Sequence, residues 1–148
     1  MGLLLGLSMA AFKDIGRGTG MRGAVLQFKS SLSLARQTAV TRRMSSRLCY
    51  TNDSLGQGYY YLLIKNVQTG NYLLSGTTNF LPTGIGFMPS TTGFVMFKTD
   101  GSCDKSGDSS WASNYKEVAL KENGKRGMTN VVRVYQQTGR VKVIRASP

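Results

Sequence analysis

Histidine is absent from this 148-residue chain, which removes the commonest general base and the commonest metal ligand of proteins. The two cysteines, Cys49 and Cys103, lie far apart and match no metal-binding spacing. A disulfide between them would require an oxidising compartment. The sequence also contains no nucleophile-elbow motif. We therefore expect a protein that is not an enzyme, with no catalytic residues, no metal site and no cofactor.

Acidic residues are scarce as well. Seven Asp and Glu stand against 19 Lys and Arg, which gives a formal net charge of +12, and residues 15–52 contain no acid at all. The basic excess is concentrated in the two terminal regions, since residues 1–52 and 109–148 each contain eight Lys and Arg. This distribution favours partners with phosphate backbones or anionic lipid head groups.

Two further patterns do not amount to binding motifs. Asp100, Asp104 and Asp108 are spaced by four, whereas calcium loops of the EF-hand type need closer, alternating ligands and a terminal Glu. The Gly-x-Gly-x-Gly sequence at 16–20 precedes a predicted helix but follows no predicted strand, so it is not a dinucleotide-binding fingerprint. We expect neither a calcium site nor a nucleotide-binding loop.

Residues 21–47 show the periodicity of an amphipathic helix. Basic residues recur every seven positions, and apolar residues recur at alternating steps of three and four. The basic set is Arg22, Lys29, Arg36 and Arg43, and the apolar set is Val25, Phe28, Leu32, Ala35 and Ala39. At 3.6 residues per turn the two sets form separate stripes. The spacing therefore predicts a helix over about 21–47 with a basic face and an apolar face.

An amphipathic segment that is rich in Arg and Ser and poor in acids resembles a generic mitochondrial presequence, here over about residues 21–48. The resemblance implies delivery to the mitochondrial matrix, transient contact of the helix with a membrane or an import receptor, and cleavage just after Arg47. Such a segment would be disordered in water and helical on a membrane surface. Two alternatives stay open: an ordinary amphipathic helix packed on the folded body, and a retained basic tail that enters RNA. Either Met1 or Met21 can be the start residue.

The rest of the sequence consists of short strand-like runs separated by turns, a pattern that is typical of a β protein. Two hairpins are predicted, one from 59–64 and 72–74 around a Gln-Thr-Gly turn, the other from 131–135 and 140–144 around a second such turn. Residues 94–97 form a buried strand, and 111–121 form a further strand or, as the alternative, a short helix. Residues 75–92 form a long loop with room for one short strand, and 100–110 form an exposed loop. Tyr59, Tyr60 and Tyr61 cannot all face one side of a strand, so at least one is a core residue.

The fold class expected from these elements is mainly β: a small antiparallel β-barrel or β-sandwich of five to seven strands. A basic amphipathic helix or a disordered N-terminal arm precedes it. The corresponding division of the chain is an N-terminal targeting or basic extension over 1–50 and a β domain over 51–148.

The second hairpin carries the predicted binding site. Period two places its valines on the core face and Arg133, Tyr135, Arg140 and Lys142 on the outer face. Basic residues also flank the hairpin, and an aromatic ring among cations can hold a phosphate backbone and stack a base. The full predicted nucleic-acid-binding set is Lys125, Arg126, Arg133, Tyr135, Arg140, Lys142 and Arg145. The alternative is a solvated strand face whose charges prevent edge pairing.

These observations together favour a non-catalytic structural subunit of a large organellar assembly. The first hypothesis is a mitochondrial ribosomal protein, whose partners are rRNA and neighbouring proteins and which has no small-molecule substrate. Two alternatives are an accessory subunit of a mitochondrial respiratory-chain complex and a viral or phage structural β protein.

Overall fold

The computed structural model describes residues 2–124 and 129–145, with side chains described from residue 20 to residue 144 within those ranges. It contains one helix followed by ten strands: α1 Gly2–Arg42, β1 Ser46–Asn52, β2 Gly58–Lys65, β3 Tyr72–Leu74, β4 Asn79–Phe80, β5 Ile85–Met88, β6 Gly93–Phe97, β7 Cys103–Asp104, β8 Tyr115–Glu122, β9 Thr129–Tyr135 and β10 Val141–Arg145.

The predicted helix exists but has different ends. It begins at Gly2 rather than at residue 21, and it ends at Arg42 rather than at residue 47. Arg43 takes a left-handed backbone conformation with φ of 51°, and the N–H of Met44 donates to the carbonyl of Ala39 at 3.2 Å, which closes the last turn. Over the part of the chain that the structure describes, no helix combines the length and the apolarity needed to cross a membrane.

The predicted apolar stripe of α1 is buried in full. Its members are all under 5% exposed: Val25, Phe28, Leu32, Ala35 and Ala39. On the basic stripe Arg22 and Arg36 are exposed and Lys29 is half-buried. The helix is therefore the amphipathic element that the spacing predicted, and its apolar face is packed against the folded body. That packing is the alternative left open beside the presequence interpretation, and it means that the segment is not a disordered arm.

The strands form two antiparallel sheets. Sheet 1 has the order β3-β2-β1-β6-β7, with β4 also paired to β2, and sheet 2 has the order β10-β9-β8-β5. Both predicted hairpins are present as β2–β3 and β9–β10. The prediction of a mainly β protein with a preceding helix is confirmed. Of the two predicted architectures, the β-barrel is wrong, because the described strands form two separate sheets that are open at their edges.

There are also more strands than the five to seven predicted. Three of the additional ones, β4, β5 and β7, contain only two to four residues each, too few to show a period of two in the sequence. The strand β1 starts at Ser46, inside the segment that the sequence assigned to the helix, and it pairs with β2 and β6 in the middle of sheet 1.

The core lies where α1 meets both sheets. The ring of Phe28 contacts Tyr50 and Tyr60 of sheet 1 at centroid distances of 5.8 and 5.4 Å, and Phe87 of sheet 2 at 5.0 Å. Tyr60 is only 1% exposed, which confirms that one of the three consecutive tyrosines belongs to the core. Each such ring pair adds about 0.5–1.5 kcal/mol to the free energy gained from burial.

The second half of α1 is also tied to the sheets by hydrogen bonds. The buried hydroxyl of Ser46 donates to the carbonyl of Ala35 at 2.7 Å, and the Nε of Arg36 donates to the carbonyl of Gly101 at 3.2 Å. Gly101 lies in the turn between β6 and β7, and Gly139 of the β9–β10 turn packs directly against it. These contacts fix the β9–β10 turn, which carries the predicted binding residues, against the helix.

Candidate functional site

The outer face of sheet 2 carries the predicted residues in the predicted orientation. Val132 and Val134 are fully buried, and the residues that alternate with them, Arg133 and Tyr135, face outward. Across the hairpin Lys142 is the register partner of Arg133, and the N–H of Tyr135 donates to the carbonyl of Arg140 at 3.0 Å. The four predicted residues of the hairpin therefore share one surface.

Arg133 is engaged within the protein. Its Nε and Nη2 both donate to Oε1 of Glu117, at 2.9 and 2.5 Å, and its guanidinium lies 4.1 Å from the ring centroid of Tyr115. Hydrogen bonds with Glu117 and then with Tyr135 raise the pKa of Arg133 above its ordinary value. Glu117 stands directly opposite Arg133 on β8, a pairing that only the strand register reveals. Arg133 thus acts as an internal support of this surface.

Tyr135, Arg140 and Lys142 converge on one open cavity of about 320 Å³, which we call the turn cavity. Its other lining residues are Asn114, Gln137 and Thr138, which the sequence analysis did not identify. Gln137 and Thr138 belong to the predicted turn and stand next to predicted site residues, so their position was a usable signal. Asn114 gave no such signal in the sequence, because it reaches the cavity through the pairing of β8 with β9, where its carbonyl accepts from the N–H of Gln136 at 2.8 Å.

The charged residues in the described lining of the turn cavity are all positive. Among the described residues that line it there is no Asp or Glu. The side chains of Arg140 and Lys142 are exposed, and neither has an ion-pair partner in the described part of the chain. Asn114, Gln137, Thr138 and Tyr135 add neutral hydrogen-bond donors. The cavity is therefore suited to a group that carries negative charge and accepts hydrogen bonds.

The other predicted binding residues are not brought into this cavity. Lys125 and Arg126 lie outside the described residues, and Arg145 ends β10 with its side chain outside the described range. Of the predicted basic face of the helix, Arg22 and Arg36 are exposed, Lys29 is half-buried and Arg43 lies just beyond the end of α1, and these residues do not line the cavity.

One buried cation was missed by the sequence analysis. Lys116 is 2% exposed, and its Nζ donates to the carbonyl of Phe94 at 2.7 Å and pairs with Asp108. Burial alone would raise the pKa of Asp108, but hydrogen bonds from Lys116 and Ser110 outweigh that effect, and the pKa lies below its ordinary value. Lys116 of β8 thus connects the loop that contains Asp108 to β6 of sheet 1.

The two cysteines are buried and unpaired. Burial raises the pKa of Cys103 to about 12 and also raises the pKa of Cys49, so both thiols are protonated near neutral pH. In the described part of the chain, no three His, Cys, Asp or Glu side chains are placed so that they could hold a metal ion. Asp100, Asp104 and Asp108 instead each accept hydrogen bonds from the backbone and hydroxyl of the serine two positions later.

No protein-family model matches the chain, and no curated protein matches it in sequence. Among solved structures, the chain is similar to the type IV minor pilin FimU of Pseudomonas aeruginosa strain PAO1 in two crystal forms. For the first form the TM-score is 0.56 at 15% identity, over 83% of this chain and 87% of the pilin. For the second it is 0.55 at 16% identity, over 83% and 91%. At this level of identity the likeness concerns the fold.

This likeness overturns the predicted function and location. The hypothesis of a mitochondrial ribosomal protein that contacts rRNA in the matrix is wrong, and so are the alternatives of a respiratory-chain subunit and a viral or phage protein. The import-receptor contact inferred from the presequence resemblance is wrong for the same reason. An apolar stripe of helical period indicates that one face will be covered, and in this fold the cover is the two sheets.

Proposed function

We propose that this chain is a non-catalytic structural subunit of a pilus-like filament at a bacterial envelope, with other pilin-like subunits as its partners. The observation that carries the proposal is the similarity in fold to a type IV minor pilin over 83% of the chain. The matched part is most of this chain, in which one long helix precedes the strands.

The form of α1 supports assembly through this helix. Its 41 residues correspond to a length of about 60 Å. The sequence of its first part includes the apolar stretch of residues 3–12. A helix of this length with such a stretch is suited to contact helices of neighbouring subunits.

From residue 20 onward, α1 also has apolar side chains on its solvent-facing side. Leu26 and Leu34 are 53% and 57% exposed, and Val40 is 46% exposed. Exposed leucines on the face opposite a buried stripe have no role in the core of this chain. Apolar surface of this kind is typical of sites that another protein covers.

The absence of catalysis is part of the proposal. The sequence has no histidine, and burial raises the pKa of both thiols, which makes them poor nucleophiles near neutral pH. Lys116, the buried amine, is held by a carboxylate and a backbone carbonyl. The two buried thiols and the buried amine are thus used for packing and pairing.

The test is incorporation into filaments in cells that produce the chain. Surface filaments are sheared off, sedimented and analysed for the chain by mass spectrometry and immunogold labelling. We expect the unmodified chain in the filament fraction, and we expect Leu26→Asp with Leu34→Asp to be folded but lost from it. The matched control, Leu55→Asp with Val67→Asp, changes two exposed apolar residues outside α1 and should remain incorporated.

Two results would contradict the proposal. If the unmodified chain never occurs in filaments, the chain is not a filament subunit. If the charged α1 variant is incorporated as well as the control, the helix is not the assembly surface.

A further inference from the structure

We propose that the turn cavity between β9 and β10 is a binding site for a phosphate-bearing small molecule. In this site Arg140 and Lys142 contact the phosphate group of the ligand. The side chain of Tyr135 packs against the ring that carries this phosphate. The inference does not depend on filament assembly, because it rests on one surface of the isolated chain.

The turn that carries the site is held in one conformation. Gly139 has a φ of 62°, and its N–H donates to the carbonyl of Tyr135 at 2.8 Å. The N–H of Arg140 donates to Oγ1 of Thr138 at 3.2 Å. Gly139 is buried against Gly101, in contact range of the Arg36 side chain. Because these contacts fix the backbone of the turn, the positions of its outward-facing residues are set before a ligand binds.

The charges around the turn cavity are the second argument. The other cations described on the β domain near it are neutralised, since Arg133 pairs with Glu117 and Lys116 with Asp108. Arg140 and Lys142 have no such partner among the described residues. The described lining of the cavity contains one guanidinium and one ammonium group and no carboxylate. In proteins a guanidinium binds phosphate through two N–H donors, and an ammonium group binds it as a compact positive charge.

The shape of the turn cavity limits the ligand. Its volume of about 320 Å³ lies at the lower end of the range of roughly 300–1,000 Å³ for small-molecule sites. Tyr135 is half-buried and belongs to the lining of the cavity, so its ring provides one wall. Asn114, Gln137 and Thr138 add donors and acceptors that suit hydroxyl groups. A phosphorylated sugar has the size and chemistry that match these features.

The phosphate could also belong to a nucleic-acid strand, and the experiment separates the two sources. The full chain, labelled with ¹⁵N, is titrated at constant ionic strength with inorganic phosphate, with glucose 6-phosphate and with a single-stranded hexanucleotide, and amide shifts are recorded by NMR. We expect saturable shifts confined to residues 114 and 135–142, with glucose 6-phosphate bound more tightly than inorganic phosphate and the hexanucleotide no more tightly than inorganic phosphate.

Variants test the assigned residues. Arg140→Gln with Lys142→Gln should weaken glucose 6-phosphate binding at least tenfold. Lys98→Gln with Lys105→Gln removes the same charge from exposed positions elsewhere and should leave the affinity unchanged. Tyr135→Ala should reduce the affinity for glucose 6-phosphate but not for inorganic phosphate, since inorganic phosphate has no ring to contact the wall.

The same spectra show whether each variant is folded, so a loss of binding cannot be mistaken for unfolding. Equal weakening by the two double variants, or shifts that do not saturate, would overturn the proposal. Tight binding of the hexanucleotide through Arg140 and Lys142, with no binding of glucose 6-phosphate, would also overturn it in favour of a strand-binding surface.

Discussion

The ring of Phe28 on α1 lies 5.0 Å from the ring of Phe87 on β5, centroid to centroid, at an interplanar angle of 61°. Phe87 belongs to sheet 2, while Tyr50 and Tyr60, which also contact Phe28, belong to sheet 1. One helix side chain therefore joins both sheets. It follows that α1 is part of the core of the fold.

The first prediction concerns Phe28 itself. Replacing Phe28 with Ala removes the ring that joins the helix to the two sheets, and we expect a loss of about 3–5 kcal/mol in the free energy of unfolding. Leu26→Ala, on the exposed side of the same helix, should change it by no more than about 0.5 kcal/mol. Denaturant unfolding followed by circular dichroism measures both. Equal effects of the two substitutions would show that the helix is not packed as described.

The second prediction uses the two Gln-Thr-Gly turns as a matched pair. Gly70 and Gly139 both have positive φ, 71° and 62°, but a Cβ on Gly70 would meet no atom within 4 Å. A Cβ on Gly139 would lie 2.0 Å from the carbonyl oxygen of Gly101. Gly70→Ala should cost about 1 kcal/mol for the backbone conformation alone. Gly139→Ala should cost clearly more, and it should also shift the NMR signals of the turn cavity.

If the two glycine variants have the same stability in thermal unfolding, the close contact between the β9–β10 turn and the β6–β7 turn does not exist.

The third prediction concerns the buried pair of Lys116 and Asp108. Asp108→Asn leaves the Lys116 amine buried without its carboxylate and should destabilise the protein by about 3 kcal/mol at neutral pH. Asp104→Asn is the control, since Asp104 makes the same type of contact to a serine two positions later but none to Lys116. Asp104→Asn should lower the free energy of unfolding by less than Asp108→Asn does.

The same pair predicts a pH dependence with a definite sign. The pKa of Asp108 in the folded protein lies below its ordinary value of 3.8. The contribution of the pair is therefore fully present above that value, and it is lost as the pH falls through the lower, native pKa. The stability difference between the unmodified protein and Asp108→Asn should shrink as the pH is lowered below 3.8. A difference that stays constant into strong acid would mean that Asp108 does not ionise in this contact.

The fourth prediction concerns thiol reactivity. Because burial raises the pKa of Cys49 and Cys103, both should react with 5,5′-dithiobis(2-nitrobenzoate) at pH 8 only as the protein unfolds. In guanidinium chloride both should react fully, which serves as the control. Rapid reaction of either thiol in the native protein would contradict the burial of that residue.

The parts of the fold that could be predicted are those with long periodic patterns. The valines of β9 and β10 alternate over enough residues to fix both faces, and the stripe of α1 repeats over about four turns. The predicted orientation of these elements was therefore correct. Strands of two to four residues, such as β4 and β7, carry no such pattern. Ser46, at the start of β1, was placed in the helix because nothing local separates it from the basic stretch before it.

The function could not be predicted from the same patterns. The period of an apolar stripe shows that the face will be covered, but not whether a membrane, a receptor or a sheet covers it. The turn cavity was predictable in part, since Tyr135, Arg140 and Lys142 share one face of a hairpin. The ion pair of Arg133 with Glu117 was not, because it depends on which strand lies beside β9.

The most direct test of the account is amide hydrogen exchange on the full chain, resolved by residue along α1. We predict that the amides of residues 24–40 exchange as slowly as those of β1 and β2 and lose their protection in the same unfolding transition. Exchange of this segment at the rate of an unstructured peptide, while the sheets stay protected, would contradict the claim that the basic helix belongs to the core.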